Sequence, residues 1–241
     1  MDTNPRTIDR RSVLHSAATG LGAAMIAIGI SACAPDERNM PMPPNPAVPS
    51  SAQGAPGPGN GGRVLLACFS RAGENYYYGG RTNLDVGNTQ VLVDEISRLI
   101  RCDVHRIEAA VPYQESYDAT VARNVREQDI DARPGIANPL PSIDQYDTVL
   151  LASGIWNVRA PMIMTTFTES HDFRGKTVHP VTTHAMSGLG TTERDYARSC
   201  PGATIGEGLA VRGEEVRDAG PAVQSWLRLT GFLQSRPSVT S

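Results

Sequence analysis

Residues 63–100 read "RVLLACFSRAGENYYYGGRTNLDVGNTQVLVDEISRLI". Residues 63–70 form a short apolar run, the pattern of a parallel strand buried on both faces. Apolar residues then recur at positions 92, 96, 99 and 100, the spacing of a helix with one buried side. A buried strand that leads through a loop into an amphipathic helix is the opening step of a doubly wound α/β domain. The loop holds two fragments, Ser70-Arg71-Ala72-Gly73 and Gly87-Asn88-Thr89, each resembling half of one anion-holding turn. The helical period begins only after Thr89, and Gly79-Gly80 with Asn83 argue against an earlier start. The insert Glu74–Val86 is therefore expected to leave the turn as an excursion at its rim, where Tyr76–Tyr78 either cover a bound ligand, the favoured reading, or pack the loop down.

The alternation of strand and helix continues. "DVHRIEA" (103–109), "DTVLLASG" (147–154), "KTVHPVTT" (176–183) and "ATIGEGLAV" (203–211) read as further strands. "YQESYDATVARNVREQ" (113–128), "APMIMTTFTES" (160–170), "TTERDYARSC" (191–200) and "AGPAVQSWLRLTGF" (219–232) read as helices. Pro161 suits a helix's first turn, and Trp226 and Leu229 are expected on one side of the last helix. The pattern predicts a five-stranded parallel sheet of order 2-1-3-4-5 in a three-layer α/β/α domain. Cys102 and Cys200 precede its two edge strands, about 19 Å apart. That exceeds the roughly 7 Å a disulfide can span. Cys68 reads as a buried thiol, and no cysteine spacing signals a metal site.

The flanks differ in character. Arg10-Arg11 precede an apolar stretch, Ala17–Ile30, of 14 residues, short for a membrane span and suited to a signal-peptide core. The arginine pair resembles a twin-arginine signal, and "ISAC" resembles a lipobox that makes Cys33 the lipidated first residue of the mature chain. Residues 1–32 are thus expected to be a signal peptide. Residues 33–62 are expected to be a disordered linker, since Ala34–Gly62 contains 8 Pro and 5 Gly. The folded domain spans 63–232, and 233–241 form a tail. Losing three Arg and two Asp with the signal takes the formal charge from −3 to −4. With no basic block, nucleic acid is not a partner. Contact with a membrane is expected only through the signal or lipid anchor, placing the protein in the periplasm or cell envelope.

In such sheets ligands bind beyond the carboxyl ends of the strands, at the switch point. The loops after strands one, three and four meet there. The first offers the hydroxyls of Ser70 and Thr89 and the amide of Asn88 at a helix start, where free N–H groups favour an anion. No G-x-x-x-x-G-K-[ST] run is present. The same residues also suit an ordinary helix cap. The second carries Trp156, which either stacks on a flat ligand or plugs the end of the sheet. The third contains His184 and only a fragment, Gly188-Leu189-Gly190, of a dinucleotide fingerprint. His184 is the histidine placed to meet a ligand; His179 reads as packed within a strand, and His105 and His171 as surface or strand-edge residues.

Taken together, "FSRAG…GNT" (69–89), "GIWNVRAPM" (154–162), "DFRGKTVHPVTTHAMSGLG" (172–190) and "CPGATIGEGLAVRG" (200–213) resemble the flavodoxin family, in a bacterial flavodoxin-like branch. The resemblance runs in order through 63–232 and implies a single noncovalent FMN. Carried over residue by residue, Ser70, Arg71, Ala72, Asn88 and Thr89 would surround the phosphate. Ile155, Trp156 and Asn157 would lie along the ring, and Thr183, His184, Ser187, Gly188 and Gly190 would close the other side. The family often has Pro-x-Trp-Trp-Gly in the second loop, where this chain has Gly154-Ile155-Trp156-Asn157-Val158 with Arg159 beside it. Ala185-Met186 stand where a glycine pair is commoner. The implied role is electron transfer or oxidoreduction, with an unknown redox protein or small electron acceptor as partner. An NAD(P)H-dependent quinone or small-acceptor reductase is an alternative, as is a degenerate binding module without FMN. A receiver-domain reading fails, because the third strand ends Ala152-Ser153-Gly154 without a phosphoacceptor Asp.

Overall fold

The computed structural model describes residues 62–234. The twin-arginine, lipobox and linker readings fall on 1–61, and most of the expected tail on 235–241, outside the described residues. In chain order the elements are β1 (Val64–Phe69), β2 (Gly73–Tyr77), β3 (Gly80–Leu84), α1 (Asn88–Leu99), β4 (Asp103–Arg106), α2 (Tyr117–Asp129), β5 (Thr148–Gly154), α3 (Met162–Glu169), β6 (Thr177–His184), α4 (Thr192–Ser199), β7 (Thr204–Ile205), β8 (Leu209–Arg212), a 3₁₀ turn (Gly213–Asp218) and α5 (Gly220–Leu229).

The main sheet is parallel, in the order β4-β1-β5-β6-β7, with β8 also on β6. β1 is buried along its whole length. Its side chains alternate between two apolar layers. Leu66 and Cys68 pack with Leu92 and Ile96 of α1 and with Val223, Trp226 and Leu227 of α5. Leu65, Ala67 and Phe69 face the other way, with Ile163 and Phe167 of α3 and Tyr196 of α4. Cys102 packs against the first layer and Cys200 lies in the second. Both are free thiols, as is Cys68, in keeping with the separation read from the sequence. Burial pushes the Cys68 and Cys200 thiols up to about 12, so neither is a thiolate near neutral pH.

The fifth strand position departs from the expected continuous 203–211 run. Thr204 and Ile205 pair with Thr177 and Val178, and pairing resumes only at Leu209 opposite Val181. Pro180 is the physical cause. Residues of a strand point alternately to its two neighbours, and Val178 O accepts from Gly206 N on the fifth-strand side. Pro180, two residues on, therefore faces the same side and has no N–H to give. The chain bulges at Gly206–Gly208, and the freed Glu207 carbonyl accepts from the Trp226 indole N–H at 3.0 Å and from His179 Nδ1 at 2.8 Å. A Cβ at Gly206 would lie 2.8 Å from His179 Nδ1.

Two other expectations are corrected, and the insert acquires a definite form. Leu229 is exposed; the buried stripe of α5 is Val223, Trp226 and Leu227, and at 3.6 residues per turn Leu229 lies roughly 110° round the helix from the middle of that stripe. The second helix begins at Tyr117, not Tyr113, behind Ser116 as its cap. The insert, expected as an excursion at the rim, is an antiparallel β2–β3 hairpin turned by Tyr78 and Gly79 with φ of 42° and 85°. Both turn residues lie in the left-handed region that a two-residue hairpin requires. Glu74 N–H donates to Glu115 O at 2.9 Å, Tyr117 N–H to Glu74 Oε2 at 2.9 Å, and Arg81 forks onto Asp118 at 2.9 and 2.7 Å. These bonds stitch the hairpin to the start of α2.

His105, His171, His179 and His184 are all held below the ordinary histidine value of 6.5, chiefly by burial. Below that value the unfolded chain takes up protons that the folded chain resists, so stability must fall as pH drops from 6.5. The exposed carboxylates held low by arginine, such as Asp172 at about 2, contribute only at more acidic pH. Urea denaturation is therefore expected to show a lower midpoint at pH about 5.5 than at about 7.5, in the histidine range. A higher midpoint at the acid end would contradict the histidine environments described.

Candidate functional site

The carboxyl ends of β1, β5 and β6 open into one cavity of about 540 Å³, within the range of small-molecule sites. At its first corner the two halves of the split turn meet. A Cβ at Gly87 would run into Ser70 Oγ and lie 2.5 Å from the Arg71 carbonyl oxygen. Its φ of −64° suits any residue, so the position demands glycine for space alone. The close approach lets Ser70 Oγ accept from Gln90 N–H at 3.1 Å, capping α1 from the far side of the insert. The N–H groups of Asn88 and Thr89 have no acceptor among the described residues. They form an open, partly positive helix end beside the cavity. Thr89 Oγ1 and Thr183 Oγ1, both buried, are 2.8 Å apart, which ties the first loop to the third.

Of the residues expected around the phosphate, Ser70, Arg71, Asn88 and Thr89 line the cavity. Ala72 is exposed and lies off it. Arg71 spends its guanidinium on backbone, donating to Gln114 O at 3.0 Å, to Glu115 O at 2.9 Å and to Glu74 O. Burial lowers its pKa, and the nearby Glu74 carboxylate, which also faces Arg81, opposes that shift.

Ile155, Trp156 and Asn157 line the second side. Trp156 meets Phe69 edge-on at 5.7 Å and Tyr113 edge-on at 4.9 Å. Tyr113 is fixed in turn by its O–H to Glu127 Oε2 at 2.8 Å and by the Arg123 guanidinium 3.7 Å over its ring. The indole thus both plugs the sheet end and faces the cavity. Asn157, at φ 69°, turns the chain so that Trp156 N–H donates to Arg159 O at 2.8 Å. Arg159 pairs with Asp195 at 3.5 Å, so its charge is offset by the first turn of α4. Pro161 caps α3.

Thr183, His184 and Ser187 line the third side; Gly188 and Gly190 do not. Gly190, at φ 57°, shapes the loop, since a Cβ there would strike Val158 O. Thr191 N–H also donates to Val158 O, at 2.9 Å, and Ser187 Oγ to Asn157 O at 3.3 Å. The second and third loops are thereby bolted together. His184 Nδ1 is buried and has no hydrogen-bond partner among the described residues. Burial, then Arg212, holds the imidazole neutral. Glu214 Oε2 is also buried without a hydrogen-bond partner among the described residues, while its Oε1 accepts from Tyr78 N–H at 3.1 Å.

Sequence reading missed one wall. Asn75 and Tyr76 of the hairpin, Tyr117, Thr120, Val121, Asn124 and Val125 of α2, and Gly213 and Glu214 of the 3₁₀ turn also line the cavity. Of the three tyrosines only Tyr76 does so; Tyr77 and Tyr78 are exposed and pack on each other at 4.9 Å. The available signal was Val121 and Val125, four residues apart and the only aliphatic side chains larger than alanine on α2.

The sequence profile of the family described as Flavodoxin matches residues 84–229. The chain belongs to the flavodoxin family. Among solved structures, a protein from Bacteroides eggerthii described as a flavoprotein is similar, with 25% identity and a TM-score of 0.57 over 70% of this chain and 98% of the other. A second, from Bacteroides uniformis, has 26% identity and a TM-score of 0.54 over 70% of this chain and 99% of the other. A flavoprotein from Lactobacillus acidophilus, solved in complex with FMN, has 12% identity and a TM-score of 0.46 over 66% of this chain and 98% of the other. No curated protein matches. The flavodoxin fold expected from the strand and helix pattern is the fold observed.

Substituting Gly87→Ala is expected to destabilise this flavodoxin-family domain by about 1–3 kcal/mol through overpacking. An unchanged denaturation midpoint would show that the split turn has room to spare.

Proposed function

We propose that the cavity holds one noncovalent FMN and that the protein serves electron transfer or oxidoreduction in the cell envelope. One observation carries the reading: an open helix N-terminus and an aromatic slot between two bolted loops share a single cavity. The amides of Asn88 and Thr89 with the hydroxyls of Ser70 and Thr89 suit a phosphate. Arg71 adds positive charge to the same loop. Ile155, Trp156 and Asn157 on one side, and Thr183, His184 and Ser187 on the other, would hold the ring. When bound, the flavin supplies the one- and two-electron chemistry, and the protein sets access and local charge. The two loops exclude water from the slot. His184 offers a neutral imidazole nitrogen to a proton, and Glu214 places a carboxylate at the same end.

Full-length protein is expected to carry, or to take up, one FMN, read from the visible flavin spectrum and from mass spectrometry of the released ligand. The Ser70→Ala/Thr89→Ala double variant should bind it about tenfold or more weakly, since each hydroxyl contributes about 1 kcal/mol. Protein that takes up no flavin on reconstitution would support the binding-module reading instead, and undiminished affinity in the double variant would remove these residues from the phosphate site.

Export by the twin-arginine route and lipidation of Cys33 belong to the same proposal, supported by Arg10-Arg11, the apolar stretch Ala17–Ile30 and "ISAC". That route carries folded proteins, which suits a domain loaded with its cofactor before export. Cys33→Ser is expected to release the protein from the membrane fraction into the soluble one. Retention at the membrane would refute the anchor.

A further inference from the structure

The end of the cavity nearest β8 gathers three polar atoms that the fold leaves unanswered. His184 closes β6 and stands opposite Arg212, the last residue of β8. The 3₁₀ turn that follows brings in Glu214. His184 Nδ1, Arg212 Nε and Glu214 Oε2 are each buried with no hydrogen-bond partner among the described residues. A buried polar group left in that state costs free energy, so three at one place call for a role beyond packing. His184 and Glu214 both line the cavity.

Few charges surround the imidazole. Arg212 faces it from β8, and Glu214 and Glu215 face it from the 3₁₀ turn. Arg212 lies 3.9 Å from Glu215, which leaves Glu214 as the carboxylate without an ion pair among the described residues. The third loop places only Ala185, Met186 and Ser187 beside His184 on the cavity wall, and α1 places Asn88 and Thr89. Arg71 lines the first corner with its guanidinium on backbone carbonyls. From the hairpin, Tyr78 N–H donates to Glu214 Oε1; its phenol, near Glu214 and Glu215, is neutral around pH 7. Burial, then Arg212, keeps His184 neutral in the resting protein. A proton on Nδ1 would make it a donor at the end of the cavity where Glu214 Oε2 lacks one.

We propose that His184 takes up a proton when the bound flavin is reduced, and that Glu214 is the positioning residue that holds the imidazolium. The inference rests on the FMN reading above, which sets His184 against the ring. A two-electron donor such as dithionite supplies the electrons. They reach the ring with one proton from solvent and add one negative charge to the cavity. A second solvent proton goes to His184 and cancels that charge, and no bond of the protein breaks. A negative charge close by favours the protonated imidazole. By linkage, protonated His184 favours the reduced cofactor to the same extent.

The test uses full-length, FMN-loaded protein. The ring C–H signals of His184, assigned by isotope labelling, are followed by NMR from pH about 5.5 to about 8.5, in oxidised and in dithionite-reduced protein. The His184 titration is expected to move to higher pH on reduction, by about tenfold in proton affinity. Between the two midpoints, the two-electron potential of the unaltered protein should fall with pH more steeply than that of His184→Gln. The difference expected is about 30 mV per pH unit, which is a tenfold change converted for two electrons. Glu214→Gln keeps an oxygen for Tyr78 N–H and removes the charge, so it should move the His184 titration to lower pH in both states. A His184 titration indifferent to reduction overturns the inference and leaves the flavin reading standing. Equal pH dependence of the potential with and without the imidazole does the same. An unmoved titration in Glu214→Gln overturns the role of Glu214. If a variant holds no FMN, the comparison of oxidised with reduced unaltered protein decides alone. Failure of the unaltered protein to take up FMN overturns the flavin reading and this inference with it.

Discussion

The contact between Ser70 and the Gly87–Gln90 turn governs the functional end of the molecule. The hydroxyl reaches Gln90 N–H only because Gly87 has no side chain to hold the two segments apart. With that bond made, the end of β1 and the start of α1 are neighbours in space, although sixteen residues separate Ser70 from Gly87 in the chain. The hairpin can then leave and return without disturbing the helix end. The amides of Asn88 and Thr89 stay open toward the cavity, where a capping side chain from Gly87's position would otherwise have closed them.

The far edge of the sheet solves a different problem. Pro180 removes a donor from the middle of β6, and the fifth strand answers by breaking into β7 and β8. The orphaned Glu207 carbonyl collects two side-chain donors, Trp226 and His179, from α5 and β6. Those bonds seat α5 on the sheet and keep β8 in register with the end of β6, opposite Thr182, Thr183 and His184. β8 then delivers Gly213 and Glu214 to the cavity rim. A proline in one strand is thereby linked to the placement of a carboxylate at the site.

Charge is distributed unevenly around the cavity. The first loop has helix amides and the Arg71 charge. The end near His184 has a neutral imidazole and the Glu214 carboxylate. The α2 wall between them is uncharged, because Arg81, Asp118, Arg123 and Glu127 neutralise one another away from it. An amphiphilic ligand, anionic at one end and flat and apolar at the other, meets this arrangement in one orientation.

Hydrophobic period alone determined the fold of this protein. Continuous runs such as Leu65–Phe69 and Val149–Ala152, too short for helices, read as strands covered on both faces, and their alternation with amphipathic helices reads as a parallel sheet. The position of the site followed, since ligands of such sheets bind where the strand order reverses. The split turn was legible too, because the helical period of α1 starts after Thr89 and not after Gly73. Tertiary structure alone decided the rest. The hairpin hides in sequence because its alternation is polar on both faces and its turn places a tyrosine at positive φ. The break at Glu207 depends on which neighbour Pro180 faces, a matter of register. The α2 wall depends on contacts that hold that helix in place, from Arg71, Arg81 and Tyr113, residues far from it in the chain or outside its span. Contacts of that kind carry no local pattern, and they are what turned a recognisable fold into a particular cavity.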